Sequence, residues 1–454
     1  MNIVYFHVHD QGRFVQPYGY PVRTPRLQRF AEEGVLFRNA FCAAPSCSPS
    51  RAALLTGQYP HQCGMYGLTN AGWRLNDYDL HLRKTLADNG YETVLAGTHH
   101  VTDHTEEGVA RLGYDRVLIE EDEGALAEHR TAAALSYLRE DHRKPFFLAL
   151  GYDITHRSKW ERSFVHSFER YGPTDSRYVR PVPGVPDTPE IREEAALQFR
   201  ASEFQDMHFG RVLDELDRLG LAEDTLVVYT TDHGPGLAGM KLHLNDAGTG
   251  VSLILRKPGL LDGGQVLDGL ASHVDVFPTL CELLGIAKPD WLEGASLLPM
   301  IEGRQATVRD YVFSEQSYHG GRIPLRSVRD ARYRYVRRIG EELPKAKYLT
   351  DRGASRDLAE QSGYKTRTVP KEQLFDTHLD PHEAHNAIGE PDYAETADRL
   401  RAALDEWMRR TDDPALRDTV PPAPERPAWA TRKGDAKRDW AKTWLDWRRR
   451  LQGE

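Results

Sequence analysis

Two pairs of metal-ligating residues follow apolar stretches that lie far apart in the chain. His9–Asp10 and Asp232–His233 each come directly after such a stretch. Short apolar runs that end in polar residues predict buried strands, and open α/β sheets place their sites at the carboxyl ends of parallel strands. Carboxylate oxygens suit Ca²⁺ or Mg²⁺, whereas imidazole favours Mn²⁺ or Zn²⁺. The pairs predict a divalent-cation site, although His9 could instead be a strand-end histidine bonded to backbone.

A cysteine and an arginine stand one helical turn apart in a third segment. Pro49 lies between Cys47 and Arg51. Proline is favoured in the first turn of a helix, so we expect a helix that begins near Cys47. Arg51 would then place a guanidinium beneath the cysteine sulfur. The alternative is a cysteine that only packs beside the start of a helix.

The segment 47–51, with its continuation 52–57, resembles the signature of the sulfatase family, part of the alkaline phosphatase superfamily. The resemblance implies that Cys47 is converted to formylglycine, whose hydrated aldehyde attacks sulfur and then expels sulfate. It also implies one divalent metal, usually calcium, bound by the residues at the two strand ends together with the modified Cys47. Arg51 would steady the hydrated aldehyde.

The strand-end pairs depart from the usual sulfatase pattern of Asp-Asp and Asp-Asn. The chain has His9–Asp10 at the first end and Asp232–His233 at the second. The second pair resembles phosphonate monoester hydrolases of the same superfamily, and in their register Gln11 replaces His9 as a ligand. Asp10 is a ligand in either register. Calcium is therefore the expected ion, with manganese or zinc as the alternatives that imidazole favours.

Other segments resemble sulfatase regions that stabilise the transferred group and the leaving group. Segment 90–100 implies a catalytic role for His100, and its extra histidine, His99, is a candidate substrate contact. Thr98 stands where the family usually has lysine, so one expected cation is missing. The resemblance assigns His156 as proton donor to the leaving group. A surface histidine is the alternative for His156.

Lys241 follows the second strand-end pair and matches the lysine or arginine that grips the transferred group in the family. A solvated loop lysine is the alternative. Segments 64–68 and 316–328 extend the likeness, which is greatest to members that resemble N-sulfoglucosamine sulfohydrolase. They imply that His319 and Arg326 contact the sugar or its carboxylate, with a bidentate guanidinium contact as the rationale for Arg326. Both could instead be ordinary loop residues.

Composition limits the class of protein. The chain has 454 residues, of which 40% are hydrophobic and 28% are charged, as in an ordinary soluble globule with about two domains. A net charge of −9 argues against a general nucleic-acid binder. The resemblance to sulfatases implies a sulfated sugar as substrate and a formylglycine-generating or other maturing enzyme as partner.

The start of the chain and its cysteines predict a cytoplasmic protein. No basic region with a long apolar stretch precedes the first apolar run, and no run reaches the length of a membrane span. Four cysteines at irregular spacing fit a reduced compartment without a disulfide framework. A cytoplasmic address favours oligosaccharides or monosaccharides over intact polysaccharide as substrates.

Apolar runs alternate with amphipathic stretches over residues 1–322. This pattern predicts an α/β domain with a doubly wound, mostly parallel sheet between layers of helices, as in alkaline phosphatase. Residues 24–33 and 195–219 are predicted helices, and 172–189 a loop over the site. Residues 311–314 are a predicted late strand of the same sheet.

The pattern of apolar and polar residues changes after residue 322. Residues 323–411 are predicted to form a smaller domain with an antiparallel sheet and one long helix, including a hairpin at Asp330–Ala331. Residues 412–454 contain a proline-rich linker and a helix with tryptophans on one face. That helix is predicted to pack on its own body, form a homo-oligomer contact or bind an anionic surface.

Two other functions compete with a sulfatase. The Asp232–His233 pair favours a phosphonate or phosphate ester hydrolase of the same superfamily. The missing lysine at Thr98 favours a glycan-binding relative without catalysis, but intact Cys47, Arg51 and Lys241 oppose it.

Overall fold

The computed structural model describes residues 1–103, 105–119, 127–157, 175–345 and 351–427. A large sheet within these ranges contains β1 (Asn2–Val8), β2 (Val35–Phe41), β3 (Glu92–Gly97), β4 (Arg116–Ile119), β5 (Phe146–Tyr152), β6 (Thr225–Thr231), β7 (Leu253–Arg256) and β8 (Gln265–Ser272). Its strand order is β4-β3-β5-β1-β6-β7-β2-β8. All neighbours are parallel except β7, which is antiparallel to β6 and β2.

Helices cover both faces of the large sheet. They are α1 (Pro25–Glu32), α2 (Cys47–Thr56), α3 (Pro60–Cys63), α4 (Leu82–Asp88), α5 (Glu106–Leu112), α6 (Ala127–Leu138), α7 (Pro189–Arg218), α8 (Asp246–Thr249), α9 (Val276–Leu284) and α10 (Leu298–Ile301). Alternate residues of β1 belong to different apolar clusters: Ile3 and Tyr5 to one, Val4 and Phe6 to the other. Burial on both faces confirms the predicted doubly wound α/β class.

Short 3-10 helices occupy several connections. They lie at Gln16–Tyr18, Thr69–Ala71, Tyr78–Leu80, Ser176–Tyr178, Ala222–Asp224, His273–Asp275, Tyr364–Thr366, Pro391–Tyr393 and Pro414–Arg417. The predicted helix 195–219 begins earlier, at Pro189, because the Thr188 hydroxyl accepts a hydrogen bond from the Ile191 amide and caps the helix. The predicted loop 172–189 therefore ends where α7 begins, and its residues 172–174 lie outside the described ranges.

A second sheet contains β9 (Val312–Tyr318), β10 (Arg322–Arg329), β11 (Tyr333–Arg338) and β12 (Glu372–Asp376), all antiparallel, in the order β12-β11-β10-β9. Helices α11 (Ala354–Gln361) and α12 (Ala394–Arg410) complete this part of the chain. The predicted hairpin at Asp330–Ala331 is confirmed as the β10–β11 connection.

One strand belongs to a different sheet from the one predicted. Residues 311–314 were expected in the large sheet, but β9 pairs with β10, with Phe313 opposite Val328. An apolar strand pattern shows that a face is buried without showing which strand is its partner. The predicted boundary at residue 322 therefore falls inside the second sheet, after its first strand.

The tryptophan-bearing helix predicted within 412–454 lies outside the described residues, which end at 427. Among the helices of the described ranges, none combines the length and the apolar character that crossing a bilayer requires. Cys42, Cys47, Cys63 and Cys281 are all buried free thiols.

Candidate active site

Three neighbouring parallel strands bring the predicted strand-end residues together. β1 lies between β5 and β6, with Val8 opposite both Tyr152 and Thr231. The Asp232 amide donates to the Val8 carbonyl oxygen at 3.2 Å, and the Asp10 amide donates to Asp232 Oδ1 at 2.9 Å. The first and second predicted pairs therefore meet at one edge of the sheet, as open α/β folds require.

Cys47 is the first residue of α2, whose ten residues are all buried. Its Sγ lies 3.3 Å from His233 Nε2 and 3.9 Å from Asp10 Oδ1. Burial alone would raise the pKa of this thiol, but the charges of Lys241, His9 and His233 hold the pKa well below its ordinary value. The amino end of a helix also favours a negative group. Position 47 is thus built to carry an anion or a polarised nucleophile.

Carboxylates and imidazoles converge on this sulfur in two overlapping groups. One contains His9, Asp10, Cys47 and His156, and the other contains Asp10, Cys47, Asp232 and His233. The candidate ligand atoms of each group lie within 4.8 Å of one another. His233 Nδ1 donates to the Gly234 carbonyl oxygen at 2.8 Å, which turns Nε2 toward Cys47, where it could bind an ion once it carries no proton. The residues therefore fit a divalent cation of mixed oxygen and nitrogen coordination.

The alternative ligand Gln11 has a different environment. Its side-chain oxygen accepts a hydrogen bond from the Tyr229 hydroxyl at 2.6 Å, and Tyr229 belongs to the same apolar cluster as Val4 and Phe6. His9 Nδ1 instead lies 2.9 Å from Asp232 Oδ2 and 3.2 Å from Asp10 Oδ1. Of the two registers, the one that uses His9 places a nitrogen beside both carboxylates.

Arg51 organises the strand ends. Its Nε donates to Asp232 Oδ2 at 3.2 Å, and its Nη atoms donate to the carbonyl oxygens of Thr98 and Val8. Thr98 thus contributes backbone where the family usually places a lysine. His100 donates a hydrogen bond to the Cys47 sulfur, consistent with the predicted catalytic position.

Lys241 links the thiol site to the predicted proton donor. Its Nζ donates to Asp10 Oδ2 at 2.7 Å and lies 3.4 Å from His156 Nε2. Burial would lower the pKa of Lys241, but Asp10 and Asp351 hold it well above the ordinary value, so the ammonium stays charged. His156 Nδ1 donates to the Arg157 carbonyl oxygen at 2.7 Å, which turns Nε2 toward Lys241. Lys241 and His156 are therefore placed to meet an anion and its leaving group.

Two of the predicted substrate contacts lie near the site. His319 Nδ1 lies 2.9 Å from the Ser46 hydroxyl, immediately before Cys47, and burial with the Lys241 charge lowers the pKa of His319 to about 4. His99 is buried, and the Val101 amide donates to its Nδ1 at 3.4 Å. A substrate contact for either histidine stays a prediction.

The structure corrects the role that the sequence predicted for Arg326. Its guanidinium is wholly buried and forms a bidentate pair with Asp413, at 2.5 Å for Nε–Oδ2 and 3.0 Å for Nη2–Oδ1. Glu315 lies 3.8 Å from the same Nε. A guanidinium enclosed by two carboxylates holds the second sheet together, in place of the sugar contact that the sequence predicted.

Three of the six non-glycine residues with positive φ in the described ranges lie at the site. Asp10, His100 and Leu242 have φ angles of 48°, 58° and 71°, in the left-handed region that side-chain-bearing residues rarely adopt. Each flanks or belongs to the group around Cys47. Such strain persists where surrounding contacts over-determine a functional geometry.

Asp351 is a site residue that sequence reasoning missed. Its Oδ2 lies 3.3 Å from Lys241 Nζ, and its side chain is 17% exposed. No local motif marks it, because it lies between β11 and β12 of the second sheet, far from every strand-end signature. Only the tertiary structure brings it to the first sheet.

Comparison with known proteins agrees with this geometry. The sequence pattern of the family described as Sulfatase matches residues 1–286. Human N-sulphoglucosamine sulphohydrolase is 30% identical over 87% of the chain and 86% of its own length. An ulvan-active sulfatase of Formosa agariphila is 29% identical over 91% of the chain and 80% of its own length.

A solved structure extends the agreement to the fold. A protein in complex with its substrate D-glucosamine-2-N,6-O-disulfate superposes with a TM-score of 0.71 at 17% identity, covering 92% of this chain and 99% of its own. The family pattern spans the large sheet together with every strand-end residue around Cys47. By sequence and by fold, the chain belongs to the sulfatase family and is a sulfuric ester hydrolase.

Proposed function

We propose that this sulfatase removes O- or N-linked sulfate from a sulfated oligosaccharide or monosaccharide, with formylglycine at position 47. The observation that carries the proposal is the position of Cys47. Its sulfur, at the start of a buried helix, meets Asp10 and His233, with Lys241 and His156 beyond them. No ordinary cysteine nucleophile requires this density of metal-ligating groups.

A maturing enzyme would convert Cys47 to formylglycine, whose hydrate supplies one hydroxyl to attack sulfur and a second to release sulfate. Asp10, Asp232 and His233, with His9, would hold a divalent ion that neutralises negative charge and acidifies the attacking hydroxyl. Calcium is the ion expected from the family, and manganese or zinc suits the imidazoles.

The remaining residues stabilise negative charge, transfer a proton or orient a ligand. Lys241 presents a buried ammonium to the sulfate oxygens, where charge is worth more than in water. His156, when protonated on both ring nitrogens, would donate its Nε2 proton to the leaving oxygen as the bond to sulfur breaks, while Nδ1 keeps its hydrogen bond to the Arg157 carbonyl oxygen. Arg51 fixes Asp232, so its contribution is to orient a ligand.

Sugar specificity is supported by the relatives, an ulvan-active sulfatase and an N-sulphoglucosamine sulphohydrolase. A cytoplasmic setting would favour short sugars already released by other enzymes, because intact sulfated polysaccharides are too large to enter a cell freely. Sulfate release from a disaccharide faster than from the intact polymer supports this, and equal rates contradict it.

The decisive experiment is mass analysis of the peptide that carries Cys47, from protein produced together with a formylglycine-generating enzyme. We expect the mass change for replacement of the thiol by an aldehyde, together with sulfate release from sulfated sugars. Cys47→Ala is the matched control and should release no sulfate. Unmodified cysteine in a protein that still hydrolyses its substrate would contradict the proposal.

The Asp232–His233 pair supports a second candidate, a phosphonate or phosphate ester hydrolase of the same superfamily. Its nitrogen ligand distinguishes the site from an all-oxygen site. Turnover of 4-nitrophenyl sulfate and of the 4-nitrophenyl ester of phenylphosphonate should be compared on one preparation. A higher kcat/KM for the phosphonate ester would favour this second candidate.

A further inference from the structure

A short segment that follows β11 in the chain is held against helix α7 and the connection after β5, beside the active site. Arg157 Nη1 donates to the Arg352 carbonyl oxygen at 2.9 Å, and the Ser355 amide donates to Glu194 Oε2 at 2.9 Å. Arg157 and Glu194 also pair with each other and are 2% and 6% exposed. A side chain at Gly353 would overlap both charged groups. The position of residue 351 is therefore fixed by buried ionic contacts.

These contacts place one carboxylate, that of Asp351, beside Lys241. Asp351 Oδ2 lies 3.3 Å from Lys241 Nζ, on a lysine that also contacts Asp10 and His156. Exposure separates these four side chains: Asp10 is 0% and Lys241 3% exposed, whereas Asp351 is 17% and His156 24% exposed. Asp351 and His156 are thus the two members that face the opening.

The backbone at Gly236 approaches this carboxylate closely. A Cβ added at Gly236 would clash with Asp351 Oδ2 at 2.7 Å and lie 3.3 Å from Asp10 Oδ2. The glycine therefore lets both carboxylates keep their positions beside Lys241. A substrate group can approach Asp351 through the 17% of its side chain that is exposed.

A carboxylate at this place weakens the binding of a bare anion. It offsets the charge of Lys241, the buried cation that the proposed function assigns to the sulfate oxygens, and it repels sulfate directly. Such a group is compensated when the substrate itself offers a hydrogen-bond donor, because a charged hydrogen bond is among the stronger ones in proteins. An aryl or alkyl leaving group has no such donor, whereas a sugar has hydroxyl or ammonium groups beside the sulfated carbon.

We propose that Asp351 is a specificity-determining residue that accepts a hydrogen bond from a hydroxyl or ammonium group of the sugar, next to the position that carries sulfate. The inference rests on the proposed sulfatase function and deepens it. It makes the enzyme selective for sugar sulfates with an adjacent donor, through a residue supplied by the second part of the chain.

The test compares Asp351→Asn with wild type on two kinds of ligand. For the best sugar sulfate, we expect kcat/KM to fall about 10- to 100-fold, as for loss of a charged hydrogen bond. For inorganic sulfate as a competitive inhibitor, we expect binding about 3-fold tighter or more, because a repulsive charge is removed. A loss of folding or of Lys241 positioning would weaken both ligands, so effects of opposite sign are specific to the proposal.

Two further arms complete the design. Glu360→Gln is the matched control and should change neither quantity. Glu360 lies on α11, outside the site, and pairs with Lys365. Donor type is resolved with glucosamine 3-sulfate and glucose 3-sulfate, which carry an ammonium or a hydroxyl group on the carbon next to the sulfated one: a larger loss on the first assigns the donor as ammonium, and equal losses assign a hydroxyl. Equal losses of Asp351→Asn on sugar sulfate and on 4-nitrophenyl sulfate would overturn the proposal.

Failure of the proposed function is distinguishable from failure of this inference. Binding of glucosamine 3-sulfate to the Cys47→Ala form and to the Cys47→Ala, Asp351→Asn form is measured by calorimetry, without turnover. If wild type releases no sulfate but the second substitution still weakens sugar binding about 10-fold, the sulfatase function fails and the role of Asp351 stands. Equal affinities of the two forms overturn the role of Asp351 whatever the activity.

Discussion

At the scale of residues, buried groups of opposite charge stabilise one another around Cys47. The charges of His9, His233 and Arg51 hold the pKa of Asp232 well below its ordinary value against the effect of burial. Asp232 and Asp10 in turn raise the pKa of the buried His233 to about 9. Each charge at the site therefore depends on its neighbours, so a substitution that deletes one changes the others.

The role of His156 can be tested through the leaving group. We expect His156→Ala to lower kcat about 10²- to 10⁴-fold on a sugar sulfate, because the sugar oxygen must be protonated as it leaves. Nitrophenolate leaves without a proton, so the loss on 4-nitrophenyl sulfate should be much smaller. Steady-state kinetics on both substrates provide the measurement.

His385→Ala is the control, since His385 is 72% exposed and pairs with Glu390 far from the strand ends. It should leave both rates unchanged. Equal losses of His156→Ala on the two substrates would show that His156 does not act as the proton donor.

The sequence located most of the site at this scale, for a physical reason. His9, Asp10, Asp232 and His233 end buried strands, and strand ends meet in any doubly wound sheet. Asp351 carries no such signal, since its position depends on the contacts of Arg157 and Glu194. Arg326 was misassigned because the partner that encloses it, Asp413, is distant in sequence and no local pattern links the two.

At the scale of elements, helix starts depend on side chains that also titrate. His81 is the N-cap of α4, and its Nδ1 accepts a hydrogen bond from the Arg83 amide at 3.1 Å. Burial, with the charges of Arg83 and His99, lowers the pKa of His81 to about 3. The folded protein therefore holds this imidazole neutral, with its lone pair on the helix start.

The sign of the resulting pH dependence follows from this lowered pKa. An unfolded histidine binds its proton near pH 6.5, so the stabilisation is complete above that pH and is lost as pH falls from about 6.5 toward 3. His81→Asn keeps a capping oxygen but does not titrate. Between about pH 7 and pH 5 we expect wild type to lose about 2 kcal/mol more unfolding free energy than the variant.

Urea unfolding at the two pH values measures this difference, and the other titrating groups cancel because both proteins contain them. An identical loss in the two proteins would show that His81 is accessible to protons in the folded state.

Element boundaries themselves were predicted only approximately. The hairpin of β10 and β11 was found from its turn, whereas β9 was assigned to the wrong sheet, since pairing is a tertiary property.

At the scale of the whole molecule, a buried polar network joins the second sheet to the rest of the chain. His61 of α3 pairs with Glu315 of β9, and Arg326 of β10 pairs with Asp413, which follows α12. The side chains of all four are at most 1% exposed. Trp407 of α12 stacks on Phe313 and lies edge-on to His61, so apolar packing surrounds the charges.

Removing Asp413 from this network should be costly, because the buried Arg326 guanidinium loses its bidentate partner and keeps only Glu315, at 3.8 Å. We expect Asp413→Ala to lower the unfolding free energy by about 3–5 kcal/mol. Asp418→Asn breaks the half-exposed pair with Arg322 and should cost about 0–1 kcal/mol. Urea unfolding measures both, with sulfate release from folded protein as a check that the strand ends are undisturbed.

The double substitution Arg326→Met with Asp413→Leu separates the two contributions to this cost. It removes both charges and keeps apolar volume, so it should recover most of the stability that Asp413→Ala loses. That recovery would show that the stability lost in Asp413→Ala is lost mainly because the Arg326 guanidinium is left unpaired. A double variant as unstable as Asp413→Ala would instead show that the pair itself, with the Asp413 hydrogen bond to the Ala415 amide, holds the second sheet against α12.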